Sequence, residues 1–401
     1  MSSALSRRAL VAGGSLGGLF AANLLLRAGW DVHVFEHSRE DLVGRGAGII
    51  THPALFECLA RIGIPLDESF GVDIPERVAF ARNGEALGTL ALPQCLTTWG
   101  RLYELLKSAF PAERYHLGHS VTGVEETSGH VTARFGNGAS AHGELLVAAD
   151  GIRSSVRAQL LPEARPRYTG YVAWRGLADE RRLSPASHHD LFPRFGFSLA
   201  PREQMLGYPV AGFTRSTRPG ERCYNFVWYR PASEAAGLPD ICTDVRGHRH
   251  DMSVPPPLLR PDVVAGVRRA ADHFLSPQFA EVVRHAVQPF FQAIFDLESS
   301  RMAFGRVVLL GDAAFVARPH CGMGVTKAAG DAMTLIRELA TGDDVSHALS
   351  RYDVTRRRFG AAVVAHGREL GSYLQGSDTP EARSHHTPDA VMREIAVTRD
   401  Y

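Results

Sequence analysis

The chain has 401 residues, of which 45% are hydrophobic and 22% are charged. These proportions are those of ordinary globular proteins, so a disordered, collagen-like or disulfide-scaffold protein is excluded. Lys plus Arg (44) nearly balance Asp plus Glu (43), which leaves a net charge of +1, and nothing marks the chain for binding nucleic acid, which depends on concentrated basic residues.

The cysteines and the N-terminus indicate the compartment. The five cysteines are scattered, odd in number and without a CxxC pair, which predicts a reducing, cytoplasmic location. Arg7 and Arg8 precede a charge-free run over 9–26 that has the flanks of a twin-arginine signal or a short membrane span. Glycines and Asn23 interrupt this run, so we expect neither export nor membrane insertion.

The N-terminal region carries the pattern of a strand, a glycine turn, a helix and a second strand. Residues 9–12 are apolar, and residues 16–28 carry apolar side chains at helical spacing. Residues 30–35 read as a strand that ends at Glu36. This order predicts a βαβ unit with parallel strands.

Two later apolar runs each end beside a glycine and an aspartate. Residues 145–149 lead into Asp150, and residues 307–310 lead into Gly311 and Asp312. Such runs are typical of buried parallel strands, which deliver their following residues to one edge of a sheet.

The segments between these runs have the composition of a second sheet. Residues 72–92 and 168–229 are rich in β-formers, aromatic residues and turn residues, and 224–229 alternates as an antiparallel strand does. Residues 376–401 are polar and predict a loosely packed tail. Helices are expected at 263–274, 280–287, 335–340 and 348–374.

The glycine turn resembles the GxGxxG dinucleotide fingerprint. Gly13 and Gly18 match it, whereas Ser15, just before Leu16, replaces the second glycine. In that motif the backbone approaches a pyrophosphate at a helix N-terminus. Glu36 is spaced to accept hydrogen bonds from an adenosine ribose, which favours FAD or NAD over NADP. The alternative is a glycine-rich turn with a solvated Glu36.

Three segments together resemble one family. They are the fingerprint with Glu36, the run Ala-Asp-Gly-Ile-Arg-Ser-Ser-Val-Arg at 149–157, and Gly-Asp-Ala-Ala at 311–314 with Pro319, Gly322 and Gly324. Their order resembles the single-component flavoprotein aromatic hydroxylases related to p-hydroxybenzoate hydroxylase, with their DG and GD motifs. Within this family, segments 13–15, 168–176 and 318–320 are most similar to the dihydroxypyridine-hydroxylating branch.

The resemblance implies an α/β fold with a Rossmann-like FAD-binding domain, an interleaved antiparallel-sheet substrate domain and C-terminal helices. Its expected segments are FAD-binding at 1–71, 99–167 and 291–345, substrate-binding sheet at 72–98 and 168–290, and a C-terminal helix and tail at 346–401.

The resemblance also assigns cofactor contacts. Asp312 is expected to accept hydrogen bonds from the ribityl hydroxyls. The turn of Pro319, Gly322 and Gly324 is expected to present N–H groups and a helix N-terminus to the flavin pyrimidine edge. Asp150 is expected to serve the cofactor.

Three further positions are less settled. Arg101 loosely resembles a family arginine that contacts FAD, and Arg157 is either a phosphate ligand or half of a surface ion pair. Relatives commonly follow the GD motif with a GxGxN run, and the Asn is missing from 322–327. This departure puts the flavin contacts of that turn in question.

The implied reaction has two halves. NAD(P)H reduces FAD, and O2 then forms a flavin C4a-hydroperoxide that hydroxylates a small electron-rich aromatic or hydroxypyridine ring. The ring must lose or share its hydroxyl proton, and water must be kept out. The candidates for ring activation are His52, Tyr208 and His320, each of which has the alternative of an internally hydrogen-bonded core residue.

Other readings of the same residues stay open. A dehydrogenase or halogenase on this scaffold and a non-catalytic flavin-binding sensor are the alternatives, although the four tryptophans form no WxW pair. The substrate, the choice between NADH and NADPH, and a homodimer contact are left undecided. No metal site is expected, because three histidine pairs lack ligand spacing or cysteine partners: His188 with His189, His248 with His250, and His385 with His386.

Overall fold

The computed structural model describes residues 7–42, 48–127, 129–342, 344–399 and 401. Within these ranges the strands are β1 (Arg8–Ala12), β2 (Asp31–Phe35), β3 (Gly48–Ile50), β4 (Val72–Phe80), β5 (Ala86–Thr98), β6 (Tyr115–His116), β7 (Val121–Thr127), β8 (His130–Phe135), β9 (Ser140–Gly143), β10 (Leu145–Ala148), β11 (Arg167–Asp179), β12 (Arg194–Ala200), β13 (Glu203–Val210), β14 (Cys223–Pro231), β15 (Phe290–Asp296), β16 (Ala303–Phe304) and β17 (Val307–Leu309).

The α-helices of the same ranges are α1 (Leu16–Arg27), α2 (Pro53–Ile62), α3 (Trp99–Ser108), α4 (Ser155–Leu160), α5 (Pro185–Leu191), α6 (Gly237–Ile241), α7 (Pro261–Phe274), α8 (Pro277–His285), α9 (Gly324–Leu339), α10 (Val345–Gln375), α11 (Pro380–Ser384) and α12 (Pro388–Glu394).

One sheet has six strands in the order β16-β17-β10-β1-β2-β6. Strand β1 pairs in parallel with β2 and with β10, and β10 pairs in parallel with β17. All four residues of β10 are buried, as expected for a parallel strand covered on both faces. The predicted βαβ unit is therefore confirmed, and the turns after β1, β10 and β17 lie at the same edge of this sheet.

The second sheet has eight strands in the order β15-β11-β14-β13-β12-β4-β5-β3. Its neighbours pair antiparallel except for β12 and β4, which are parallel. Every residue of β13 is buried, and helices α8, α10 and α12 pack against other strands of this sheet. The α/β fold with an interleaved sheet is thus confirmed, whereas the residue-level domain boundaries stay predictions.

A third, three-stranded sheet of β7, β8 and β9 was not among the expectations. It interrupts the first domain between α3 and β10 and packs against β1 and β10. Its short strands have mostly exposed residues on one face, and such weak alternation gives a poor sequence signal.

Helix α10 has 31 residues and begins and ends where capping chemistry predicts. Asp344 accepts a hydrogen bond from the Ser346 N–H at 3.0 Å, and Gly376 ends the helix with φ of 115°, a left-handed conformation that glycine adopts without strain. The helix packs against α9 and α11.

The prediction of a loosely packed tail is wrong. The last segment contains α11 and α12, and α12 packs against β4, β5 and β12. Val391, Ile395 and Ala396 are fully buried, because these few apolar residues pack against the second sheet. The overall composition of residues 376–401 is polar, so it gave no indication of this contact.

Candidate active site

The turn after β1 is built for close backbone contact. Gly13 has φ of 98°, and its N–H donates to the Phe35 carbonyl at 2.8 Å. A Cβ at Gly13 would lie 2.4 Å from the Ala149 carbonyl oxygen, and one at Gly18 would lie 1.9 Å from the Gly13 oxygen. Neither position accepts a side chain without displacement of the backbone.

Helix α1 starts directly behind this turn. Ser15 is the N-cap residue, its side chain makes no capping hydrogen bond, and Leu16 is the buried first residue of the helix. The first N–H groups of a helix lack partners within it and attract anions. The Ser15 hydroxyl and these N–H groups are therefore placed to meet a pyrophosphate.

Glu36 lies at the end of β2 beside the same turn. Its side chain is buried and accepts hydrogen bonds from the Gly14 N–H at 2.8 Å and the Ser38 N–H at 2.9 Å. The carboxylate is held against the glycine turn. The alternative of a glycine-rich turn with a solvated Glu36 therefore does not apply. This is the place from which it can reach an adenosine ribose.

Asp150 follows β10 and holds the start of α4. Its Oδ2 atom accepts from the Ser155 N–H at 2.9 Å, whereas its Oδ1 atom is buried and without a partner among the described residues. Burial raises the pKa of this carboxyl group. An unpartnered buried acceptor at the carboxyl edge of the sheet fits a donor from a bound cofactor.

Arg157 is buried and is not half of a surface ion pair, whereas its phosphate role stays a prediction. Its buried guanidinium donates to the carbonyls of Ile152 at 2.5 Å, Ala313 at 2.9 Å and Ala164 at 3.2 Å. It therefore ties the DG segment to the GD segment, and all three of these acceptors are backbone carbonyls. The sequence shows the arginine but not the carbonyls that surround it.

The GD turn follows β17. The Gly311 N–H donates to Asp331 Oδ2 at 3.0 Å, which anchors the turn on α9. Asp312 lines the main cavity, and its side chain is exposed there. Pro319, Gly322 and Gly324 line the same cavity, so the turn and the N-terminus of α9 face it.

A threonine stands where the GxGxN run has its asparagine. Thr326 is buried, and its hydroxyl has no hydrogen-bond partner among the described residues. A hydroxyl can donate and accept, so it can partly replace an amide at the flavin edge. The missing Asn thus leaves a polar group in place.

Arg101 is near the site but outside the cavity lining. It lies on α3, and its Nη2 donates to Ser69 Oγ at 2.7 Å, while Asp67 is 3.6 Å away. Its Nε is buried and has no partner in the described part of the chain. A contact with FAD would satisfy that nitrogen, so the role of Arg101 stays a prediction.

The cavity measures about 500 Å³, a size typical of small-molecule sites. It lies between the flavin-side turns and the second sheet, and its wall is completed by the C-terminal segment. The lining residues from the second sheet and from the chain end are Gly48, Ile49, Ile50, Arg175, Leu206, Tyr208, Val227, Tyr229, Gln292, Ala293, Ile294, Phe295, Ile395 and Ala396.

Tyr208 lines the cavity together with two residues that sequence reasoning missed, Tyr229 and Arg175. Burial raises the pKa of both phenols, although the positive charge of Arg175 opposes that shift. The Arg175 Nε is buried without a hydrogen bond, and no carboxylate of the described ranges pairs with this guanidinium. Only the run 168–176 pointed toward Arg175, and it gave no orientation.

His52 and His320 lie behind the lining rather than in it. His52 Nδ1 is 2.8 Å from Thr398 Oγ1, and its Nε2 is 3.3 Å from the Gly322 carbonyl oxygen. Burial lowers the pKa of His52 to about 4. The imidazole is therefore neutral at pH 7 and links the chain end to the flavin-side turn.

His320 is fully buried beneath the tyrosines. Its Nε2 is 2.9 Å from the Tyr171 hydroxyl, and its ring centroid is 4.2 Å from that of Tyr229. Burial lowers the pKa of His320 to about 3, so it too is neutral. Its Nδ1 has no partner within the described residues.

The three histidine pairs make ordinary contacts. His188 is 2.6 Å from Glu180, His250 is 2.9 Å from Asp244, and His385 is 2.5 Å from Glu394. No cluster of three or more metal-type ligands occurs in the ranges that the structure describes. Of the helices in those ranges, none has the length and apolarity needed to cross a membrane.

The residues at this edge fit FAD. Asp150, Thr326 and Arg101 each have a buried polar atom without a partner among the described residues, and Asp312 and the N-terminal residue of α9, Gly324, line the cavity. A Cβ at Gly324 would meet nothing within 4 Å, which leaves room beside the start of α9.

Comparisons with known proteins agree with this geometry. A family profile described as FAD binding domain matches residues 7–191 and 286–366, and one described as FAD binding domain-like matches residues 168–296. The 2,6-dihydroxypyridine 3-monooxygenase of Paenarthrobacter nicotinovorans is 32% identical over 92% of this chain and 91% of its own. The 3-amino-4-hydroxybenzoate 2-monooxygenase of Streptomyces cremeus is 30% identical over 93% and 89%.

A solved structure gives the same result. The 2,6-dihydroxypyridine-3-hydroxylase from Arthrobacter nicotinovorans superposes with a TM-score of 0.87 at 32% identity, covering 94% of this chain and 95% of that chain. The fold, the cofactor turns and the full-length similarity lead to one conclusion. The chain belongs to the FAD-dependent aromatic hydroxylases, which use NAD(P)H as co-substrate.

Proposed function

We propose that the protein hydroxylates a small hydroxypyridine-type ring, which it binds as an anion. The observation that carries this proposal is the guanidinium of Arg175, which lines the cavity without a carboxylate partner among the described residues. Arg175 is partly buried, so its charge is incompletely solvated, and a ligand that brings a negative charge would pair with it.

The surrounding side chains favour a flat ring. Leu206, Val227 and Ile294 supply apolar contact, and Tyr208 and Tyr229 add two phenol groups to the lining. A hydroxypyridine has apolar faces and polar edges, so its faces match the apolar side chains of the cavity and its edges match the phenol groups. The relative named for 2,6-dihydroxypyridine is similar over nearly the whole chain, which supports the same class.

Bound FAD supplies the activated oxygen in this family. The chain itself has to orient the ring, stabilise its deprotonated form and exclude water. Arg175 lowers the pKa of a ring hydroxyl through its charge, which makes the ring more nucleophilic. Tyr208 and Tyr229 hold the same edge by hydrogen bonds, with their own protons retained because burial raises their pKa.

The two histidines are assigned a different part. His52 and His320 are buried, neutral and separated from the cavity by other side chains. We infer that they are positioning residues, since His52 fixes the Gly322 turn and His320 supports Tyr171 and Tyr229. Tyr208 is then the one sequence candidate that touches substrate.

Location and assembly belong to the same proposal. All five cysteines are free thiols, which supports the cytoplasmic location inferred from their spacing. A homodimer stays a prediction, and sedimentation equilibrium of the purified protein tests it.

The test is NAD(P)H oxidation by the FAD-loaded protein in air, with product and hydrogen peroxide both quantified. The ligands are hydroxypyridines and phenols, with methoxypyridines of matched size as uncharged controls. We expect the ionisable rings to accelerate oxidation and to yield hydroxylated product, and the methoxy compounds to do neither. Acceleration that yields only peroxide, or none with any ring, would contradict the proposal and favour a dehydrogenase or a sensor.

A further inference from the structure

The end of the chain is fastened to the second sheet by a buried arginine. We call residues 387–399 the C-terminal strap. Arg77, on β4, is completely buried and donates to the carbonyls of Met392 at 2.9 Å, Ile395 at 2.6 Å and Ala396 at 3.3 Å. The Met392 carbonyl lies in the last turn of α12, and the Ile395 and Ala396 carbonyls directly follow the helix, so a cation is well matched to this C-terminus.

Two further contacts hold Arg77 and the strap together. Gln94 Oε1 accepts from Arg77 Nη2 at 2.6 Å, and Gln94 Nε2 donates to the Ala396 carbonyl at 3.2 Å. The guanidinium also lies 4.8 Å from the centroid of the Phe195 ring. The attachment is thus specific and buried, unlike a tail resting on a surface.

The strap also contacts the flavin-side turn. The Ala396 N–H donates to the His320 carbonyl at 2.8 Å, and Thr398 contacts His52 at 2.8 Å. A Cβ at Gly322 would lie 3.1 Å from the Ala396 Cα. The strap therefore bridges the second sheet and the GD turn across one side of the cavity.

Ile395 and Ala396 form that side of the cavity. Ala396 has φ of 56°, a left-handed conformation that is unfavourable for alanine and persists where surrounding contacts impose it. Val391, four residues earlier on the same strap, is equally buried but belongs to the contact with the sheet and does not line the cavity.

We propose that Ile395 and Ala396 are specificity-determining residues: they form the wall that limits the size of the ring, and Arg77 is the positioning residue that holds this wall in place. The inference rests on the proposed use of the cavity for an aromatic substrate. An apolar wall discriminates by the volume it leaves, and one added or missing methylene group typically changes affinity by about 10- to 200-fold.

The experiment compares ring size directly. FAD-loaded wild-type protein, Ile395→Ala and the matched control Val391→Ala are titrated with a hydroxypyridine and with a hydroxyquinoline, and binding is followed by the change in flavin absorbance. We expect Ile395→Ala to improve hydroxyquinoline binding relative to hydroxypyridine by at least about tenfold. Val391→Ala is expected to leave that ratio within about twofold, although it also removes buried apolar surface from the strap.

A second variant tests the attachment without changing the lining. Arg77→Gln removes the cation that holds the strap carbonyls, and it is expected to shift the same size ratio in the same direction and to raise the peroxide yield. A fall in Tm with an unchanged ratio would mean a structural role only, and would overturn the positioning part of the proposal.

The outcomes separate this inference from the proposed function. If the ratio of hydroxyquinoline to hydroxypyridine binding is equal in Ile395→Ala, Val391→Ala and wild type, the proposal that Ile395 limits ring size is overturned even if hydroxylation occurs. If Ile395→Ala alone improves hydroxyquinoline binding relative to hydroxypyridine, and no hydroxylated product forms, the result would support the role of Ile395 in limiting ring size and contradict the proposed function. If no ring changes the flavin absorbance of the wild-type protein, the proposal that Ile395 and Ala396 limit ring size is overturned as well.

Discussion

The two large sheets arrange their functional residues in different ways. In the six-stranded sheet, each turn that is predicted to contact FAD is a short continuous segment that follows one strand, such as Gly13 to Gly18 after β1 or Gly311 and Asp312 after β17. In the eight-stranded sheet, the cavity is lined by single residues from strands that are far apart in sequence, and by the C-terminal strap. A turn whose functional residues are adjacent in the chain can be recognised from a short stretch of sequence. A cavity wall built from distant strands cannot.

The largest expected effect comes from the cofactor turn. Gly13→Ala should lower FAD content by more than about a hundredfold or prevent folding, because its Cβ would lie 2.4 Å from the Ala149 oxygen and φ is 98°. FAD content of the purified protein, read from its absorbance, measures this. The matched control is Gly17→Ala, whose Cβ meets nothing closer than 3.4 Å; FAD content equal in the two variants would refute the packing argument.

The next effect concerns the cavity cation. Arg175→Met should weaken binding of a hydroxypyridine anion by roughly 30- to 150-fold, equivalent to about 2–3 kcal/mol for a lost charge-assisted hydrogen bond, with FAD content unchanged. Flavin-absorbance titration over a range of pH measures this, since only wild-type affinity should rise as the ligand ionises. Arg194→Met, which breaks an ion pair with Glu76 outside the cavity, is the control, and an equal loss in both would contradict a substrate contact.

A third prediction addresses the buried histidine that joins the two regions. The pKa of His52 is lowered by burial to about 4, below the unfolded value of about 6.5. Between these values the unfolded chain binds more protons, so stability falls as the pH drops from about 6.5 toward 4. At pH 5 the loss from this group is about 2 kcal/mol.

The measurement is the free energy of unfolding from urea titrations at pH 7 and pH 5. His52→Asn should reduce the pH-dependent part of that energy relative to wild type. His347→Asn, at an exposed histidine on α10, is the control. A pH dependence that is the same in wild type and His52→Asn would show that the buried histidine does not contribute to it.

The smallest expected effect lies at the altered GxGxN position. Thr326→Val should weaken FAD binding by about two- to tenfold, since a single net hydrogen bond contributes about 0.5–1.5 kcal/mol. Thr326→Ser keeps the hydroxyl and is expected to stay within about twofold of wild type. FAD dissociation constants from fluorescence titration measure both, and equal affinity in the Val and Ser variants would exclude a role for the hydroxyl.

The sequence allowed much of the flavin side to be predicted. The βαβ unit, both aspartate-bearing strands and the second sheet follow from apolar periodicity and turn residues, and the structure confirms them. Among the site candidates, Tyr208 was found in the cavity, whereas His52 and His320 were found behind it. Arg175 and Tyr229 were missed, because strand alternation shows that a residue lies on one face but not which face meets the cofactor.

The local turns can be predicted from the sequence, because a glycine whose φ must be positive and an acid that must follow a strand are properties of a few adjacent residues. The cavity wall, by contrast, depends on how distant segments pack together. The polar segment at the chain end proved to be the strap that Arg77 fastens across the cavity, although 315 or more residues separate Arg77 from the carbonyls it binds. Contacts at that separation depend on how the sheets pack, because burial and hydrogen-bond partners are set by neighbours in space rather than by neighbours in the chain.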